Sequence, residues 1–103
     1  EATRKKCDFL RSAALSLGLR HVSVECGRAE EHGHKQAWRE SFPMVSARAV
    51  AELRILCELC LPFTRVGGYF FAMKGPLAAA NAEISAAENA LDKLGGKVVN
   101  IIE

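Results

Sequence analysis

Pro43-Met44-Val45-Ser46-Ala47-Arg48-Ala49-Val50-Ala51 is a short apolar run that stops at an arginine and passes into a helix-like pattern. It reads as a strand, a charged edge, then a helix. In open α/β sheets ligands occupy the crevice outside the carboxyl ends of the strands, so a charge at that edge is a candidate site residue by position alone. Arg48 is that residue. Its planar guanidinium suits a carboxylate or phosphate, although the same group could equally serve a structural ion pair.

Downstream of this stretch the pattern repeats. Leu53, Leu56, Cys57 and Cys60 mark a helix that Pro62 ends, because proline lacks the N–H and clashes with the preceding turn. Arg65-Val66-Gly67-Gly68 reads as a turn. Tyr69-Phe70-Phe71-Ala72-Met73 is a continuous apolar run, as expected of a central parallel strand covered on both faces, and it too ends in a charge, Lys74. Pro76 is placed for the first turn of a helix in which Leu77, Ile84, Ala87, Leu91 and Leu94 keep the 3.6 period. Gly95-Gly96 stop it, and Lys97 to Ile102 resumes as a strand.

Upstream, Cys7, Leu10, Ala14 and Leu17 recur at helical spacing between Thr3 and Leu17, with Arg4, Lys5, Lys6 and Arg11 on the other face. Gly18 suits the left-handed position that closes many helices. Val22-Ser23-Val24-Glu25-Cys26 alternates as a strand does. Gly27 to Ser41 is polar, carries His32, His34 and Trp38, and reads as a loop with one short helical turn. The order is therefore α, β, loop, β, α, β, α, β, which argues for an α/β fold with right-handed crossovers and a mostly parallel, doubly wound sheet. Arg48, Lys74 and Glu1 would converge on one edge of that sheet, the predicted site.

The 103 residues are 50% hydrophobic, which fits one globular unit, and no apolar run reaches the roughly 18 residues a membrane helix needs. The chain begins at Glu1 inside a helix-like pattern, so it is expected to be a piece of a longer chain. A net charge of +2 is compatible with a nucleic-acid partner without arguing for one. Cys7, Cys26, Cys57 and Cys60 lie in or beside apolar runs, as free cysteines of a reducing compartment do.

Glu1 stands just before a helix, where the unsatisfied N–H groups favour a carboxylate. The functional alternative is an acidic residue at the end of an upstream strand, holding the ribose hydroxyls of a nucleotide-like ligand. Ala29 and Glu30 follow the strand ending at Cys26 and would sit at the same edge; a solvated loop carboxylate is the plainer reading of Glu30. Cys57-Glu58-Leu59-Cys60 with His32 and His34 invites a zinc reading, but Cys57 and Cys60 fall on the buried stripe of a helix and no second closely spaced cysteine pair exists. No metal site is expected. The chain has neither a GxGxxG nor a GxxxxGK[ST] turn, and no hydrolase constellation is suggested by position.

Taken together, Glu1-Ala2-Thr3-Arg4-Lys5-Lys6-Cys7-Asp8-Phe9-Leu10, Gly27-Arg28-Ala29-Glu30, Ser46-Ala47-Arg48-Ala49-Val50-Ala51, Leu59-Cys60-Leu61-Pro62, Gly67-Gly68 and Met73-Lys74-Gly75 resemble the glucose-inhibited division protein B family. These are the small-subunit (16S) ribosomal RNA (guanine-N7) methyltransferases, and residues 40–74 look closest to plant plastid-type members. The resemblance implies the C-terminal portion of a single class I methyltransferase domain, Rossmann-like, using S-adenosyl-L-methionine. It carries cofactor-binding roles onto Glu1, Ala2 and Thr3 (ribose end), Ala29 and Glu30 (adenine end) and Arg48. The family's Gly-rich loop lies before Glu1, so the piece alone is expected to be inactive; Glu1 also stands where many members have Asp.

Guanine N7 carries a lone pair and no proton, so no general base is called for and no catalytic residue is assigned. Lys74, Arg65, Arg4 and Lys5 are expected to hold phosphates of the ribosomal RNA. A monomer is expected, in the chloroplast stroma for a plant-type member or the cytoplasm for a bacterial one. The rival readings are a non-catalytic Rossmann-like interaction module and a same-fold methyltransferase with another substrate.

Overall fold

The computed structural model describes residues 1–48 and 51–102, the side chains of Leu77 and Ala78 excepted. Ala49 and Val50 of the opening motif, and the side chain of Leu77 on the last helix's apolar stripe, thus lie outside the described residues. The chain divides into two compact units, Glu1–His32 and Gly33–Glu103.

In the first unit, α1 spans Arg4–Ser16 with Thr3 at its N-cap. Gly18, at φ +68°, closes it: Gly18 N–H donates to the Leu15 carbonyl and Leu19 N–H to that of Ala14, the paired bonds of a Schellman end. Cys7 is fully buried on the predicted stripe, whereas Leu10 and Leu17 stand exposed. A single helical turn, α2, spans Ala29–His32.

Residues 22–26 are not a strand, contrary to the alternation. A strand exists only where its N–H and C=O groups meet a neighbouring ladder, and here the ladder has one rung. Glu1 N donates to the Glu25 carbonyl at 3.2 Å while Gly27 N–H donates to the Glu1 carbonyl at 2.9 Å. Donation on either side of Cys26 is the slanted pattern of a parallel pair, with Glu1 opposite Cys26. Arg11 Nη2 adds a bond to the Val24 carbonyl, fastening α1 onto the same segment.

The second unit runs β1 (Phe42–Arg48), α3 (Leu53–Cys60), a 3₁₀ turn (Leu61–Phe63) holding Pro62, β2 (Thr64–Met73) and α4 (Leu77–Leu94). β1 and β2 pair in parallel, from Met44 beside Tyr69 to Arg48 beside Met73. The helices cover one face. Leu53, Cys57 and Ala87 form the core, with Leu61, Phe70, Ala72, Ile84 and Leu91 packed against it. Coverage on both faces is not seen among the described residues: Met44, Tyr69, Phe71 and Met73, on the opposite face, are exposed.

Two further expectations change. Residues 65–68 are not a turn between elements but part of β2, where the pairing steps from Phe42–Thr64 to Met44–Tyr69, so three extra residues of β2 bulge out. Gly67 takes φ +81° there, which is why a glycine pair reads equally as turn or bulge. Residues 97–102 have a strand's composition but no ladder partner among the described residues, and Val98, Val99, Ile101 and Ile102 are exposed. α4 does end as expected, at Gly95 with φ +75°.

The bulge makes a sharp prediction. A Cβ at Gly68 would lie 2.9 Å from the Pro43 carbonyl oxygen and 3.0 Å from that of Arg65, both backbone atoms that cannot swing away. Gly68→Ala is therefore expected to cost about 1–3 kcal/mol in the full-length protein, read as a shift of the denaturant midpoint. Gly67→Asn meets open space and carries only the backbone strain of a positive φ, which asparagine bears better than most residues, so it should cost less than Gly68→Ala. Equal midpoints for the two variants would refute the packing argument.

Candidate functional site

The described residues put the expected ligand groups into two sets. In the first unit, Glu1 Oε1 accepts the Thr3 N–H at 3.0 Å, and this backbone bond is the leading cause holding the Glu1 carboxyl below its ordinary range. An exposed carboxylate just before α1 can accept from paired hydroxyls. The Glu1–Gly27 bond brings Ala29 and Glu30 into the same neighbourhood. Glu30 is tied to Arg28 by a 2.8 Å charge-assisted bond, which lowers its pKa and raises that of Arg28. Both side chains are exposed, so the pair is weak in stability terms and open to exchange for a ligand.

In the second unit, Arg48 closes β1, exposed and on the face of Met44 and Met73. Its guanidinium makes no ion pair or hydrogen bond among the described residues. Arg65 is exposed on the β2 bulge, as Arg4 and Lys5 are on the first turn of α1.

Lys74 is placed differently from a phosphate contact. Its Nζ donates to the Ala51 carbonyl at 2.6 Å and lies 3.1 Å from Glu83 Oε2 on α4, with side chains only 19% and 28% exposed. Glu83 Oε2 is itself buried, held by charge rather than by an aligned hydrogen bond. Lys74 thereby ties Ala51 to α4. Sequence reading missed Glu83, although a carboxylate one turn from Ala87 on α4's covered side signals a need for a cation.

Removing one partner of a mostly buried pair strands the other charge. Lys74→Met is accordingly expected to destabilise by about 1–3 kcal/mol, discounted for the residual exposure, and Lys74→Met with Glu83→Leu to regain part of that loss. A double-mutant cycle on thermal unfolding measures the coupling; strictly additive effects would mean no interaction.

Cys57 lies in the core and the Cys60 thiol is pushed up to about 11 by burial, so both sulfurs behave as apolar packing groups.

Against known proteins, a family model described as rRNA small subunit methyltransferase G matches residues 1–103. The chain belongs to the GidB family. Among GidB relatives, each named ribosomal RNA small subunit methyltransferase G, that of Symbiobacterium thermophilum is 46% identical over the whole chain and 43% of its own length. That of Alkaliphilus metalliredigens is 46% identical over 96% of the chain and 41% of the relative, and that of Clostridium kluyveri 43% identical over 100% and 43%. The chain thus spans about two fifths of the length of these curated relatives. All three are bacterial. No described helix is long and apolar enough to cross a membrane.

Proposed function

We propose that the complete protein transfers a methyl group from S-adenosyl-L-methionine to guanine N7 of small-subunit (16S) ribosomal RNA, with this chain as the C-terminal portion of a single methyltransferase domain. The observation that carries the reading is the family match over every residue of the chain, at 43–46% identity to enzymes of that name. The Glu1–Cys26 rung is in keeping with it, because the backbone of Glu1 pairs with residues 25–27 in the pattern of a parallel ladder.

When bound, S-adenosylmethionine supplies a methyl group on a positively charged sulfonium. Glu1, Ala2 and Thr3 hold the ribose end, and Ala29 and Glu30 the adenine end. Arg48 fixes the cofactor or the acceptor edge of the guanine, whose N7 needs no base to unmask it. What the protein adds is alignment and exclusion of water. Arg65, Arg4 and Lys5 meet RNA phosphates, while Lys74 is engaged by Glu83 and the Ala51 carbonyl. The protein works as a monomer, in the plastid stroma or the bacterial cytoplasm according to its source.

Disrupting the gene and assaying small-subunit RNA for N7-methylguanosine tests the reading. The mark should vanish and return with the full-length gene. A mark that persists, or a purified full-length protein that binds no S-adenosylmethionine, would favour the non-catalytic module, and loss of another methyl mark a different substrate.

A further inference from the structure

The first unit holds two thiols together. Cys7, on α1, is fully buried, and Cys26 is half-buried; neither is in a disulfide. The Glu1 carbonyl oxygen accepts both from Cys7 Sγ, at 3.1 Å, and from Gly27 N–H, at 2.9 Å. Since Gly27 follows Cys26 directly, that one oxygen brings the Cys7 thiol to the backbone next to Cys26. Thiol contact with Cys26 is correspondingly the leading cause that raises the Cys7 pKa.

We propose that Cys7 and Cys26 are a dithiol that closes to a disulfide when the folded protein meets a low-molecular-weight disulfide, a modification site within the first unit. Cys26, the more exposed, attacks one sulfur of the added disulfide as its thiolate and expels one small thiol. Cys7 then gives up its proton and displaces the second, so that two protein thiols are oxidised, one added disulfide is reduced to two thiols, and the Sγ–Sγ bond forms. The buried Cys7 makes this second step the slower one.

Closure has a consequence that rests on the cofactor reading. Oxidised Cys7 has no hydrogen left to donate, so the Glu1 carbonyl loses one of its two bonds and the Glu1–Thr3 turn loosens where the ribose is held.

The test uses full-length protein in oxidised and reduced glutathione buffers, quenched by acid, alkylated, digested and weighed. A Cys7–Cys26 linked peptide is expected from native protein, absent from Cys26→Ser and lost on treatment with a dithiol reductant. Free thiols throughout, or glutathione attached to Cys26 without the internal bond, would overturn the proposal. Calorimetry should show S-adenosylmethionine binding weakened several-fold in the closed form and restored by reduction; equal affinity in both forms would overturn the consequence. Should the reduced protein bind no S-adenosylmethionine, the cofactor reading fails by itself, and the linked peptide still decides whether the thiols pair.

Discussion

Arg48→Ala in the full-length protein is expected to slow methyl transfer by about tenfold to a hundredfold, the kinetic equivalent of losing one charge-assisted contact of about 1.5–3 kcal/mol. The expectation follows from its position. Arg48 is the last residue of β1, exposed beside Met73, and no described carboxylate engages it. A guanidinium so placed does little for folding, and the variant should unfold within about 0.5 kcal/mol of wild type. Arg48→Lys should recover only a small part of the rate, because an ammonium cannot reproduce the planar fork. Single-turnover methylation together with cofactor titration separates loss of binding from loss of alignment. Intact cofactor affinity and intact rate in Arg48→Ala would remove Arg48 from the site.

Leu56→Ala should do the reverse, sparing chemistry in whatever fraction remains folded while destabilising the protein by about 2–5 kcal/mol. Leu56 is 1% exposed on α3, the helix that packs against α4 and both strands. Truncation leaves a void that neighbouring elements can only partly fill. Leu56→Met, nearly equal in volume, should cost under about 1.5 kcal/mol. Urea unfolding of the three proteins gives the ranking, and an alanine variant as stable as the methionine one would show that the cavity collapses.

Helices were the most legible part of the chain, because each needs only itself to satisfy its backbone. The stripe Leu53, Leu56, Cys57 and Cys60, with Pro62 beyond it, defines α3 closely, and Gly18 and Gly95 stop α1 and α4 where left-handed caps form. Strands were legible only where a partner stands beside them. Residues 44–47 and 69–73 pair as expected, within the longer strands β1 and β2, whereas residues 22–26 and 97–102 carry the same alternation or composition and form no strand. Alternation records the capacity to pair and not the pairing.

The site divided along similar lines. Arg48 and Glu1 could be marked from position, since a charge ending an apolar run is conspicuous. Lys74 carries the same signal but is drawn to Glu83 on α4 and the Ala51 carbonyl, partners that lie apart from it in sequence. Cys7 and Cys26 are distant in sequence, and the Glu1 rung and the Arg11–Val24 bond join the segments that carry them.

The β2 bulge has a further meaning for how such a chain can vary. Between the Phe42–Thr64 and Met44–Tyr69 rungs, β2 uses five steps to match two of β1, and Gly67 faces open space. Residues there contribute no register, so length can be gained or lost around Gly67 while Met73 stays opposite Arg48. An insertion, or a reporter group attached at this point, would travel with the sheet yet leave its ligand edge aligned.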